Sequence, residues 1–171
     1  MGFDAPGARS GGIGRMGSKP RSQGGSLPEG ASRLNSRPFL IDTCVALWIV
    51  DGRVPVDIGH ALTAAFNHGL QTFVSPITAW EIGQLARKRR FVSTLSPQRW
   101  FSQLMTTRGA ALADMPPEVL MESSFLGDLE TNDPADRIIA ATAREYGYTV
   151  VTSDAALLDY GKRGHLSVLE C

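Results

Sequence analysis

From Pro38 onward the chain alternates short apolar runs with longer segments whose apolar residues recur at helical spacing. Pro38-Phe39-Leu40-Ile41 reads as a buried strand, and Val45–Val50 as a helical segment. Asp57–His68 puts Ile58, Ala61, Leu62, Ala65 and Phe66 on one helical face. Gln71–Val74 reads as a second strand, and Pro76 to about Arg89 as a helix. Another helix covers Pro97–Thr106, then a weak strand Ala110–Ala113 and a helix Pro117–Leu126. Pro134–Tyr146 is strongly helical, and the β-branched stretch Tyr148–Thr152 is a strand. A short helix Ala155–Tyr160 and a strand Leu166–Leu169 complete the pattern. Strands alternating with helices at this spacing predict an α/β fold with a parallel sheet covered on both faces. Trp48, Trp80, Trp100 and Phe101 are assigned to the core in preference to an interface.

The chain ahead of Pro38 has a different character. Residues 1–36 are rich in Gly, Ser, Arg and Pro and carry no apolar periodicity, so they read as a disordered tail. Six bases against two acids give residues 1–37 a net charge of +4, whereas the remainder is −4. A basic tail therefore precedes an acidic domain spanning 37–171, within 171 residues that suit one core. The longest apolar run, Val45–Val50, is far short of the roughly 20 residues a membrane helix needs. No charged start followed by an apolar stretch marks an export signal, so a cytoplasmic protein with two reduced thiols, Cys44 and Cys171, is expected.

An acidic domain gains interest from where its acids fall. Open parallel sheets bind ligands beyond the carboxyl ends of their strands. Asp42 directly follows the first strand, and Asp154 follows the Tyr148–Thr152 strand after one residue. Glu81 lies early in the helix after the second strand, and Asp133 and Asp136 open the helix Pro134–Tyr146. Each has a local explanation. Asp133 before Pro134 is a good helix cap, Thr78–Glu81 matches a capping box, and Asp42 and Asp154 can cap the helices they precede. Gathered at one edge, however, two carboxylates about 5 Å apart repel by roughly 3 kcal/mol at an effective dielectric near 20. A divalent cation relieves that repulsion, and all-oxygen ligands favour Mg²⁺ or Mn²⁺ over zinc.

These segments resemble a known family. Phe39-Leu40-Ile41-Asp42-Thr43, Ser75-Pro76-Ile77-Thr78-Ala79-Trp80-Glu81-Ile82, Asp133-Pro134-Ala135-Asp136-Arg137-Ile138-Ile139-Ala140-Ala141-Thr142-Ala143 and Val150-Val151-Thr152-Ser153-Asp154 are similar, in order and spacing, to VapC-type PIN domains. The resemblance implies a PIN-like α/β/α sandwich with a mostly parallel central sheet. It also implies a Mg²⁺- or Mn²⁺-dependent endoribonuclease, the toxin of a type II toxin–antitoxin pair. By position, Asp42, Glu81, Asp136 and Asp154 match the family's metal-binding and catalytic acids, and Asp133 the capping acid. Thr43, Thr152 and Ser153 would border the pocket. The expected partners are an RNA substrate, a cognate antitoxin and a second copy of the chain. Two positions depart from the common pattern: Cys44 replaces a frequent histidine, and Thr131-Asn132 stand where a histidine or arginine often precedes the Asp-Pro.

Holding RNA is a separate task. Arg87-Lys88-Arg89-Arg90 ends the Glu81 helix, roughly 9 to 13 Å from Glu81 at about 1.5 Å per residue, within reach of neighbouring phosphates. Arg137, beside Asp136, is a further candidate phosphate contact or ion-pair partner, while His60, His68 and His165 read as structural or surface residues. Rival readings are an RNA-processing nuclease outside a toxin system, a non-catalytic PIN-fold binding module, and a receiver-like domain. The last lacks its paired acids and lysine, and the binding module should lack at least one of the four acids.

Overall fold

The structure, a computed structural model, describes residues 37–171; the basic segment expected over 1–36 lies outside the described residues. Five strands carry the domain: β1 (Phe39–Ile41), β2 (Thr72–Val74), β3 (Ala110–Leu112), β4 (Thr149–Thr152) and β5 (Ser167–Glu170). Between them run α1 (Thr43–Val50), α2 (Val56–Asn67), α3 (Pro76–Arg87), α4 (Pro97–Met105), α5 (Pro117–Ser123), α6 (Pro134–Tyr146) and α7 (Ala155–Lys162). All pairings are parallel, in the order β3-β2-β1-β4-β5, so the sheet is wholly rather than mostly parallel.

Successive strand side chains point to opposite faces, and here both faces are buried. Leu40 and Val150 face a core shared with Ile139, Ala140, Leu157 and Tyr160 of α6 and α7. Phe39, Ile41, Val74 and Val151 face the other, closed by Val45, Ile58, Ile82, Trp100 and Leu104 of α1 to α4. This explains why the central strands read as continuous apolar runs. Trp100 is fully buried, but Trp80 is 51% exposed, correcting its assignment to the core. At 100° per residue, Trp80 stands about 200° from both Thr78 and Ile82, the buried positions of α3, and so points outward.

Helix starts follow local chemistry. Ser75, Ser96 and Asp133 each cap a helix whose first residue is proline. The capping box expected at Thr78–Glu81 does not form: the cap is Ser75, whose Oγ accepts from Ile77 N, and Thr78 is buried inside the helix. Gly147 ends α6 at φ 68°, a left-handed position that glycine takes without steric cost.

The sheet order places β1 between strands reached in opposite directions. Chain progression runs β1-β2-β3 to one side and β4-β5 to the other, making the β1/β4 boundary a topological switch point. There Ile41 pairs with Val151, and Asp42 N donates to Val151 O at 3.0 Å.

Candidate active site

Asp42 leaves β1 at this switch point and caps α1; its Oδ1 accepts from Thr43 N at 2.6 Å. Its Oδ2 accepts from Thr152 Oγ1 at 2.7 Å and from Cys44 Sγ at 3.2 Å. Thr152 Oγ1 in turn accepts from Asp154 N at 2.9 Å, so the hydroxyl's one proton is directed to Asp42. Thr152 thus ties the ends of β1 and β4 together and is fully buried. Asp154 caps α7 with Oδ1, which accepts from Ala156 N and Leu157 N.

Glu81 comes in from α3. Its Oε2 accepts from Thr43 Oγ1 at 2.6 Å, and Thr43 Oγ1 also lies 3.1 Å from the hydroxyl of buried Thr78. Asp136, in the first turn of α6, accepts from Thr131 Oγ1 at 3.0 Å. Three of the four acids are thereby each held by one threonine hydroxyl: Thr152 on Asp42, Thr43 on Glu81, Thr131 on Asp136. With its capping box gone, Glu81 has no helix-capping task, and neither has Asp136, whose helix is capped by Asp133.

The acids also feel one another. Burial pushes the Glu81 carboxyl up to about 7; the Thr43 bond opposes the rise, and Asp42, Asp133 and Asp136 add to it. Burial likewise raises Asp136 to about 6, opposed by Thr131 and reinforced by Asp154, Asp133 and Asp42. The Cys44 thiol is raised by burial and by Asp42, which leaves it a neutral hydrogen-bond donor. Among the described residues, no three His, Cys, Asp or Glu side chains stand close enough to form a ready-made chelate. The carboxylates lie near enough to couple electrostatically without converging on one point. Their donors are oxygens throughout, the set that hard divalent cations take. Each of Glu81, Asp136 and Asp154 keeps a second carboxylate oxygen without a hydrogen-bond partner among the described residues.

The candidate phosphate contacts divide. Arg87, Lys88, Arg89 and Arg90 are exposed at the end of α3. Arg137 is not available in the same way: its guanidinium donates to the carbonyls of Ser123, Ser124, Leu126, Leu129 and Thr131. All five of its N–H groups are spent on backbone, which corrects the expectation of a phosphate contact or ion pair. Ser153 is exposed, its Oγ 3.5 Å from Cys44 Sγ. His60, His68 and His165 are all exposed, and His165 stacks on Tyr160. A separate apolar cavity of about 230 Å³ lies under α2, lined by Ile49, Leu62, Phe66 and Leu104, and none of the four acids borders it. Sequence reading missed Thr78 and Thr131. Only the serine–proline step at 75–76 hinted that Thr78 was interior, and nothing near Thr131 announced its bond five residues ahead.

The PIN domain family model matches residues 39–163, which hold the whole of this arrangement. The chain belongs to the PIN-domain family. A curated relative, Ribonuclease VapC22 of Mycobacterium tuberculosis, is 33% identical over 121 residues, 69% of this chain and 88% of its own. Among solved structures, VapBC2 from Rickettsia felis, bound to a DNA fragment from its promoter, superposes with a TM-score of 0.54. It covers 77% of this chain and 97% of its own at 13% identity, and so supports the PIN fold alone. Among the described residues no helix is long and apolar enough to cross a membrane.

Proposed function

We propose that this PIN domain is a Mg²⁺- or Mn²⁺-dependent endoribonuclease and the toxin of a VapC-type toxin–antitoxin pair, acting in the cytoplasm. The observation that carries the reading is the set of four carboxylates at the switch point, three of them oriented by threonine hydroxyls. The likeness to a relative named as a ribonuclease supports the substrate class. Structural carboxylates that served only as caps would need neither Glu81 nor Asp136 in a half-buried, mutually repelling arrangement. That all four acids are present favours catalysis over a binding module.

Asp42, Glu81, Asp136 and Asp154 would hold the cation. When bound, it supplies charge to a phosphodiester oxygen and acidifies a nearby water. The remaining work falls to the chain. Thr152 and Thr43 fix the directions of Asp42 and Glu81, so little reorganisation is needed when charge develops. Asp154, with Oδ1 occupied by two amides, offers Oδ2 to a water proton. The exposed cations Arg87–Arg90 would hold flanking phosphates through counterion release. An antitoxin that presents a basic side chain to the cleft would silence it, and a homodimer is expected from the family.

The test is cleavage of a mixed RNA panel by purified protein with Mg²⁺, Mn²⁺ or EDTA, beside Asp42→Asn. Metal-dependent cutting that the substitution abolishes is expected. A folded protein that neither cuts RNA nor binds Mn²⁺ would overturn the reading.

A further inference from the structure

Arg137 is half-buried beside Asp136, and its guanidinium lies among backbone carbonyls of the segment before α6. Its Nε donates to Ser123 O at 2.8 Å; Nη2 donates to Leu126 O at 2.9 Å and Ser124 O at 3.4 Å. Nη1 donates to Thr131 O at 3.2 Å and Leu129 O at 3.3 Å. A guanidinium has five N–H groups in a fixed fork, and here five carbonyls of one irregular segment meet them. The segment needs such a partner. Two of those carbonyls lie at the end of α5, where helix carbonyls lose their intrahelical donors. The turn that follows holds Asp128 at φ 61°, outside any regular ladder.

The segment ends at Thr131, which serves Asp136. Its hydroxyl accepts from Asp133 N at 3.1 Å and donates to Asp136 Oδ2 at 3.0 Å. With the Asp133 amide donating to its oxygen, the hydroxyl's one proton is directed to the Asp136 carboxylate. Its carbonyl, meanwhile, is held by Arg137 from the next position in α6.

We propose that Arg137 is a positioning residue for the site: by gathering the carbonyls of Ser123–Thr131, it fixes the Thr131 hydroxyl on the Asp136 carboxylate. This rests on the acidic cleft being the active site. Thr131 is then the functional counterpart of the orienting threonines Thr43 and Thr152, supplied from a loop that has no regular structure of its own. Lysine is a poor substitute, since a point charge with three donors cannot span five carbonyls.

The experiment compares wild type, Thr131→Val, Thr131→Ser, Arg137→Lys and the double variant Thr131→Val/Arg137→Lys. Fold is checked by circular dichroism, cleavage by steady-state kinetics, and the Asp136 carboxyl directly by its ¹³C resonance. Loss of an orienting partner around a metal-binding group costs about 10-fold or more. Thr131→Val and Arg137→Lys should each lower kcat about tenfold with KM nearly unchanged, and both should move the Asp136 resonance. Thr131→Ser should restore kcat, and the double variant should fall no further than Arg137→Lys, because one chain of contacts is cut twice. A folded Arg137→Lys with wild-type kcat and an unmoved Asp136 resonance would sink the proposal. So would a Thr131→Val protein unchanged in both, even if Arg137→Lys does not fold. Should wild type cleave no RNA, the nuclease reading fails alone, because the resonance still decides whether Arg137 positions Asp136.

Discussion

Replacing Arg89 by glycine should make the protein more stable and at the same time a weaker RNA binder. After α3 the chain closes with Arg90 N donating to Leu85 O at 2.8 Å and Arg89 N to Ala86 O at 3.0 Å. This is a Schellman closure, whose turning residue is usually glycine. Here it is Arg89, at φ 55°. An L-residue in that region costs roughly 1–2 kcal/mol, and glycine gives back about 0.5–1 kcal/mol through its freer unfolded chain. The net gain from Arg89→Gly is therefore about 0.5–1 kcal/mol, or roughly 2–5 °C in Tm for a domain of this size. The same change removes one of four exposed cations. If that cation neutralises a phosphate of single-stranded RNA, the slope of log K against log salt falls by about 0.7, and affinity near 0.1 M salt falls about fivefold. Arg89→Ala separates the two effects, since it keeps the strain and loses the charge. The assays are thermal unfolding and a salt titration of RNA binding in an Asp42→Asn background, in which cleavage is expected to be lost. The expected pattern is Tm raised only by glycine, with affinity lowered equally by both. Unchanged RNA affinity would show that the cationic turn is merely a helix end. An unchanged Tm would refute the strain argument.

Two further outcomes follow from buried groups. Thr149 Oγ1, in the interior strand β4, is buried with no hydrogen-bond partner among the described residues, so Thr149→Val should stabilise the protein by about 1–2 kcal/mol, read as a higher denaturant midpoint at unchanged slope. Glu81 holds its proton up to about 7 in the fold against an ordinary 4.5, so between those pH values the folded state binds more protons than the unfolded one. Metal-free stability should thus fall as pH rises from about 4.5 to 7, with Asp136 adding to the same slope, and Glu81→Gln should flatten it. A Tm in EDTA that rises over this range, or a slope that Glu81→Gln leaves intact, would contradict the desolvation of Glu81.

What could be read from the sequence was whatever repeats with the period of a strand or helix. Leu40 and Ile41 face different cores, so β1 has no polar side, and that is why an unbroken apolar run correctly signalled a central parallel strand. The same run fixed where it stops, at Asp42, and a carboxylate at the end of such a strand stands at the ligand-binding edge whatever its partners. Period also held the answer for Trp80: counting 100° steps from Ile82 turns it outward, but weighing it as a large aromatic put it in the core. The serine–proline step at 75–76 likewise outranked the Thr78–Glu81 spacing, because proline is favoured at the first helical position. Arg137 is a different case. Its charge and its place beside Asp136 suggested a ligand, yet its partners are backbone carbonyls, which carry no sequence identity. Nothing in Ser123–Thr131 shows that its carbonyls turn to one point. The α5 pattern even extends to Leu126, whereas the helix stops at Ser123, where Arg137 begins to take over the carbonyls. Arg137 therefore links the end of that helix, the loop and the setting of Asp136, while Arg163 holds the same loop at Asp128 and Glu130. They became legible only when the loop and α6 were seen together.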